Sequence, residues 1–221
     1  PASKTPLTAL KLAEIYEQAG GPPGGFQVLP SSSTQAEAAV GDDRLKALSF
    51  TGSAQVGWHL KTKAGRKKVI LELGGNAAAI VDDTADLKWA ARRCVVGAFA
   101  HAGQVCISLQ RLLVSREIYE PFKEIFLDAI RREALAGDPA REDTMVGPMI
   151  DAGAAAKVRD WVKEALAGGA TLAWGSLGEG NVIPTIVLEN VSREMKVWSQ
   201  EIFGPVAVLA PFTDFTQALE M

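Results

Sequence analysis

Cys106 stands in the run FAHAGQVCISLQR (99–111), just after a Gly-Gln-Val turn that follows an apolar helical stretch. A thiol becomes a good nucleophile when it ionises, which takes backbone amides or a cation nearby and some access to solvent. Gly103 permits a tight turn and Gln104 adds a polar amide, so the thiol can sit on a loop facing a cavity. The competing reading is a buried filler among small apolar neighbours. Cys94, inside RRCVVGAF, fits that second description. Glu72 ends the apolar run VILELGG, where a carboxylate costs free energy unless it is hydrated or used. It is either a general base or a surface-facing strand end. The stretch SFTGS (49–53) sets free amides, a hydroxyl and the positive end of a helix dipole where a phosphate could bind. Many strand-to-helix turns of this kind bind nothing, and Glu201 in EIFGPV (201–206) suggests by itself only a loop entering a strand.

The elements that must position these groups come from an ordinary globular composition. The 221 residues are 48% hydrophobic and 22% charged with a formal net charge of −3, enough chain for one large or two smaller α/β units. Without clustered Lys and Arg, neither nucleic acid nor a membrane surface is an expected partner. Two cysteines cannot make a disulfide framework, and no Cys/His group has zinc-ligand spacing, so no metal is expected and any chemistry at Cys106 is that of a free thiol. No apolar run approaches the ~18 residues of a spanning helix, and PASKTPLTAL lacks the order of a signal peptide. The expected location is cytoplasmic.

Thr5-Pro6 reads as an N-cap followed by the first helical position, opening a helix that runs to Gly20-Gly21. FQVL (26–29) and ALSF (47–50) read as strands, AQVGWHLKTKA (54–64) as a helix, and KKVILEL (67–73) as a buried strand stopped by Gly74-Gly75. Next come a strand at 77–81, a largely buried helix at 85–102, and the Cys106 loop. Beyond it lie a strand at 111–114, an amphipathic helix at 117–134, a Gly/Pro loop at 137–149 and a helix at 154–167. Extended segments follow in NVIPTIVLEN and GPVAVLAPF. Alternating strands and helices predict an α/β fold of open, mostly parallel twisted sheets with helices on both faces. The boundary falls at the Gly74-Gly75 pair, read as a flexible joint between 1–73 and 74–221. Residues 1–73 offer about three strands, fewer than the five or six of a doubly wound nucleotide-binding sheet. The chain starts without Met and stops inside the amphipathic pattern TDFTQALEM, so a piece of a longer protein is expected.

Taken together and in order, FTGS, LELGGN, GQVCIS and EIFGPV resemble the aldehyde dehydrogenase superfamily of NAD(P)-dependent, non-acylating type. SKTPLTAL, GGPPGGFQVLP, GDP…TMVGPMID and PTIVLENV extend the resemblance over essentially the whole chain. It implies that 1–73 is part of a Rossmann-like cofactor domain and 74–221 most of the catalytic domain. It implies oxidation of a small aldehyde to an acid through a thiohemiacetal and a thioester, with Cys106 as nucleophile and Glu72 activating the hydrolytic water. Ser53, with Gly52 at its turn, would face the cofactor pyrophosphate, and Phe50 and Val56 would line the adenosine side. Leu73 and Gly74 would lie near the nicotinamide, Glu201 would hold its ribose, and Phe203 would pack by the ring. Gln104, Ile107 and Ser108 would shape the nucleophile loop and touch substrate. Ser3 stands where NAD-preferring relatives often carry Glu, so NADP would be tolerated beside NAD.

The resemblance also implies a homodimer or homotetramer for the full-length protein. A second oxyanion donor (an Asn) and an adenine-ribose Lys would lie upstream of Pro1, and a pairing strand downstream. The isolated chain is therefore expected to be inactive or weakly active. A non-catalytic structural or binding protein on the same scaffold is the alternative.

Overall fold

The computed structural model describes residues 1–221. The chain divides into two compact units, Pro1–Leu73 and Gly74–Met221. The first contains α1 (Leu7–Gln18), α2 (Ser33–Val40), β1 (Ala47–Thr51), α3 (Ala54–Lys63) and β2 (Lys68–Glu72). Its two strands pair in parallel, Ala47 opposite Lys68 and Thr51 opposite Glu72.

The structure departs from the sequence expectations at four places in this unit. Pro6, not Thr5, is the N-cap of α1, and it makes no side-chain cap bond. FQVL forms no strand, because Phe26 packs edge-on against the Tyr16 ring, 5.9 Å between centroids, instead of joining a ladder. The unit therefore has two strands rather than three. β2 is not buried: its residues alternate between exposed and half-buried, and Ile70 is exposed. The helix α2, unforeseen in PSSSTQ, is closed by a capping box in which Gln35 N donates to Ser32 Oγ at 3.3 Å and Ser32 N donates to Gln35 Oε1 at 3.0 Å.

The second unit carries β3 (Ala77–Val81), α4 (Leu87–Phe99), β4 (Leu109–Ser115), α5 (Tyr119–Glu133), α6 (Ala152–Ala167), β5 (Thr171–Trp174), β6 (Ile186–Glu189), α7 (Lys196–Ser199), β7 (Val206–Phe212) and α8 (Phe215–Glu220). The strands form one sheet in the order β3-β4-β7-β6-β5, parallel except for β5, an antiparallel edge strand the sequence reading did not find. Strand periodicity divides the core between the two faces. Leu112, Val114, Ala207 and Leu209 join Val95 and Phe99 of α4 and Phe122 and Phe126 of α5. Leu113, Val206 and Val208 join Val158 and Val162 of α6 and Val197 and Trp198 of α7. Helices therefore cover both faces, as expected for a mostly parallel sheet. Asp86 and Asp151 cap α4 and α6, the side chain accepting from Lys88 N and Trp89 N in one and from Ala154 N in the other. No helix is long and apolar enough to cross a membrane.

Candidate active site

In the second unit, α4 ends at Phe99 and the chain reverses hand. His101, Ala102 and Gly103 have φ of 54°, 56° and 66°, a left-handed run that L-residues rarely adopt. Glycine is required at 103 twice over, because a Cβ there would also overlap the carbonyl oxygen of Gly204. The elbow delivers Cys106 to an exposed turn in which Ser108 N donates to Val105 O at 2.9 Å. Ser108 Oγ ties the turn back to α4 through Ala98 O at 3.3 Å. On the other side, Gln104 Oε1 accepts from Ile150 N at 2.9 Å and its Nε2 donates to Pro148 O at 3.3 Å. Both ends of the Gln104 amide are thus committed to holding the 148–150 loop. Ile107, beside the thiol, is 79% exposed.

Glycines 74 and 75 supply space. A Cβ on Gly74 would overlap the Glu201 carboxylate, and one on Gly75 would lie 2.7 Å from the Cys106 carbonyl oxygen. Neither has positive φ, so close approach, not the left-handed freedom of a flexible joint, is what the structure asks of the pair. Glu201 Oε1 accepts from Gly75 N at 3.0 Å. Lys157 Nζ, absent from the sequence-based site, donates to Glu201 O at 3.3 Å. Phe203 follows with φ 56° and is 42% exposed. Together with His101, Gln104, Pro148 and Ile150 it borders a cavity of about 620 Å³.

The first unit gathers the other candidates at the C-terminal ends of β1 and β2. Gly52 N donates to Glu72 O at 3.0 Å, which sets the TGS turn beside the exposed Glu72. Ser53 is the N-cap of α3, its Oγ accepting from Val56 N at 3.4 Å. Gly52 lies under the Phe50 ring, where a Cβ would meet the ring at 2.6 Å. Leu73 packs against buried Gly57 of α3. Ala36 and Val40 of α2, Leu48 and Phe50 of β1, and Val56 of α3 border an apolar cavity of about 580 Å³. His59 Nε2 and Glu37 Oε1 pair beside it at 3.1 Å. Ser3 is exposed in the turn closed by Thr5 N to Ala2 O.

Cys94 is buried, and desolvation pushes its thiol up to about 11, which makes it packing material. Arg111 donates to Asn76 O at 2.9 Å and Met221 O at 2.8 Å, with its guanidinium 5.6 Å from the Trp198 ring centroid. Nη1 and Nη2 thus go to carbonyls, while the buried Nε has no hydrogen-bond partner.

The sequence model of the aldehyde dehydrogenase family matches residues 1–221. The chain is 40% identical over 220 residues to the 3-sulfolactaldehyde dehydrogenase of Priestia aryabhattai, covering 99% of this chain and 46% of that protein. It superposes with a TM-score of 0.95 and 43% identity on aldehyde dehydrogenase 21 of Physcomitrella patens, solved with the reaction product succinate, over 100% of this chain and 46% of that one. The NADP-dependent glyceraldehyde-3-phosphate dehydrogenase of Bacillus halodurans C-125, solved with NADP, gives 0.89 at 32% identity over 95% and 44% of the two chains. The chain spans a little under half the length of the proteins it matches.

Proposed function

Because the chain belongs to the aldehyde dehydrogenase family, we propose that the whole protein oxidises an aldehyde to a carboxylic acid with NAD or NADP as acceptor, with Cys106 as nucleophile and Glu72 as base. The observation that carries this reading is the exposed Cys106 thiol on a turn tied down on both sides, by Ser108 to α4 and by Gln104 to the 148–150 loop. A packing cysteine needs no such support, as buried Cys94 illustrates.

Within each unit, the residues present suit a part of a nicotinamide dinucleotide. The apolar cavity beside Phe50 and Val56 suits a flat purine. The α3 N-terminus behind Gly52 and Ser53 offers amides and a positive dipole end to a pyrophosphate. Glu201, whose carboxylate fits beside Gly74 and accepts from Gly75 N, would accept ribose hydroxyls, and Phe203 would offer a ring face to the nicotinamide. Ser3 places no acid against a 2′-phosphate, which is the ground for tolerating NADP. When bound, the cofactor supplies the hydride acceptor.

Cys106 Sγ attacks the aldehyde carbon, and the Cys106 backbone amide donates to the oxyanion of the thiohemiacetal. Departure of the aldehydic hydrogen as hydride leaves a thioester on Cys106. Glu72 takes a proton from water, which adds to the thioester carbon and releases acid and thiolate. The substrate proposed is an aldehyde with a second, anionic group, since 3-sulfolactaldehyde and glyceraldehyde-3-phosphate each carry one and succinate is the product of an aldehyde that does. The 221-residue chain by itself is proposed to turn over slowly or not at all.

The test is formation of reduced nicotinamide by the whole protein given succinate semialdehyde and NAD or NADP. Cys106→Ala abolishes it; turnover that survives this change rejects the role of the thiol. Glu72→Gln leaves a single burst of reduced cofactor with no steady state. Butanal, the neutral analogue, reacts with kcat/KM lower by about tenfold or more, ~1.4 kcal/mol of discrimination.

A further inference from the structure

The segment that carries Glu201 and Phe203 is held by a side chain that no reading of the site includes. Gln110 lies at the start of β4 and is buried, 5% exposed. Its Nε2 donates to Val197 O at 3.0 Å and to Gln200 O at 2.6 Å, while its Oε1 accepts from Ile202 N at 2.9 Å. One buried amide thus satisfies three backbone groups within six residues, ending beside Glu201.

The backbone is built to aim it there. Along β3, Ala77 pairs with Leu109 and Ala78 with Arg111, so Gln110 is skipped, and the pairing of β4 with β7 begins only at Arg111. Strand alternation would put Gln110 on the side of Leu112 and Val114, facing α4 and α5. Instead its partners Val197 and Ile202 belong to the opposite cluster, the one Leu113 joins. A bulge places two successive residues, Gln110 and Arg111, on one side of the strand. Asn76 Nδ2 to Trp198 O at 2.7 Å and Lys157 Nζ to Glu201 O hold the same segment by one bond each.

We infer that Gln110 is a positioning residue that fixes the Val197–Ile202 segment, and with it Glu201 and Phe203, relative to the Cys106 turn four residues before it on the same strand entry. Its consequence for cofactor binding rests on the reading of Glu201 and Phe203 given above. Gln110 touches neither substrate nor cofactor and acts through the segment it clamps.

The experiment uses the whole protein with Gln110→Glu, which keeps volume and acceptor but loses both donors, and Gln110→Met, which loses all three bonds. Expected are a rise of about tenfold or more in KM for NAD(P), a change of about twofold or less in KM for aldehyde, and an unchanged rate of Cys106 alkylation by iodoacetamide without cofactor. In Gln110→Glu, protonation of the buried carboxyl at low pH returns one donor, so cofactor KM falls as pH falls, a trend absent from the parent. Hydrogen exchange at the Ile202 amide, independent of any activity, is faster in Gln110→Met, which leaves that amide without its acceptor. Wild-type exchange at Ile202 in Gln110→Met, or wild-type cofactor KM in an active enzyme, overturns the clamp, as does wholesale unfolding of both variants, which would make Gln110 a general stability residue. A parent protein that oxidises no aldehyde sinks the functional reading while the Ile202 exchange still decides the clamp.

Discussion

A Cβ on Gly75 would lie 2.7 Å from the carbonyl oxygen of Cys106, closer than carbon and oxygen approach without a bond, so the nucleophile turn rests on bare backbone. Gly75→Ala must push that turn aside. A displacement of about 1 Å at a reacting centre costs on the order of 10²-fold in rate. The variant should keep its fold by circular dichroism yet lose about 10- to 100-fold in kcat/KM in the whole protein. Parental kinetics in Gly75→Ala would show that the contact does not place the thiol.

The two cysteines should separate by reagent access. Cys106 is exposed, whereas Cys94 is buried with its thiol pushed up to about 11. Iodoacetamide at about pH 8 should add one carbamidomethyl group to the native 221-residue chain, mapped by peptide mass spectrometry to Cys106, and a second at Cys94 only in denaturant. Equal labelling of both native thiols contradicts the assignment.

Alkaline pH should weaken the second unit. Burial, then the Glu189 carboxylate that accepts from Tyr119 Oη at 2.6 Å, holds the Tyr119 phenol far above its usual range. The folded state thus favours the protonated phenol, and that stabilisation is complete below the unfolded value of about 10 and is lost as pH rises beyond it. Cys94, raised by burial, acts in the same sense from about 8.5 upward. Urea midpoints measured between about pH 7 and 11 should fall across that range. Tyr119→Phe should flatten the upper part of the fall and cost about 1 kcal/mol at neutral pH, since Lys123 remains on Glu189 at 2.6 Å.

Limited proteolysis should spare the second unit. In Pro1–Leu73 only Val40, Gly57 and Ala64 are buried, the sheet has two strands, and Leu7 and Leu29 are 77% and 72% exposed. Such a unit opens at little cost, while five strands with two packed faces do not. Early fragments of the 221-residue chain should therefore begin near Gly74. First cuts inside α5 or α6 would refute this ordering.

Much of this was legible in the residues themselves. The apolar periodicity of α4, α5 and α6 and the β-rich runs of β3 and β7 are local signals, and local signals survive into the fold. FQVL misled because an apolar run states that it wants burial, not by what, and the Tyr16 ring supplied it. The capping box of α2 was written in Ser32 and Gln35 and could have been read. Gln110 could not. Its partners are 87 to 92 residues away in sequence, and the bulge that aims it exists only once β3 and β4 are paired. The same holds for Lys157 and for the true demand on Gly74 and Gly75, which depend on where Glu201 and the Cys106 carbonyl arrive.

The hand reversal at His101–Gly103 also bears on assembly. Three successive left-handed residues have no local preference to form, so the elbow is imposed by its surroundings: α4 on one side and the Gly204 carbonyl, about a hundred residues later, on the other. Chain segments that distant meet late. A nascent or partly melted molecule consequently carries its sulfur on an ordinary wandering tether, and the turn takes its fixed place only when the segment bearing Gly204 docks.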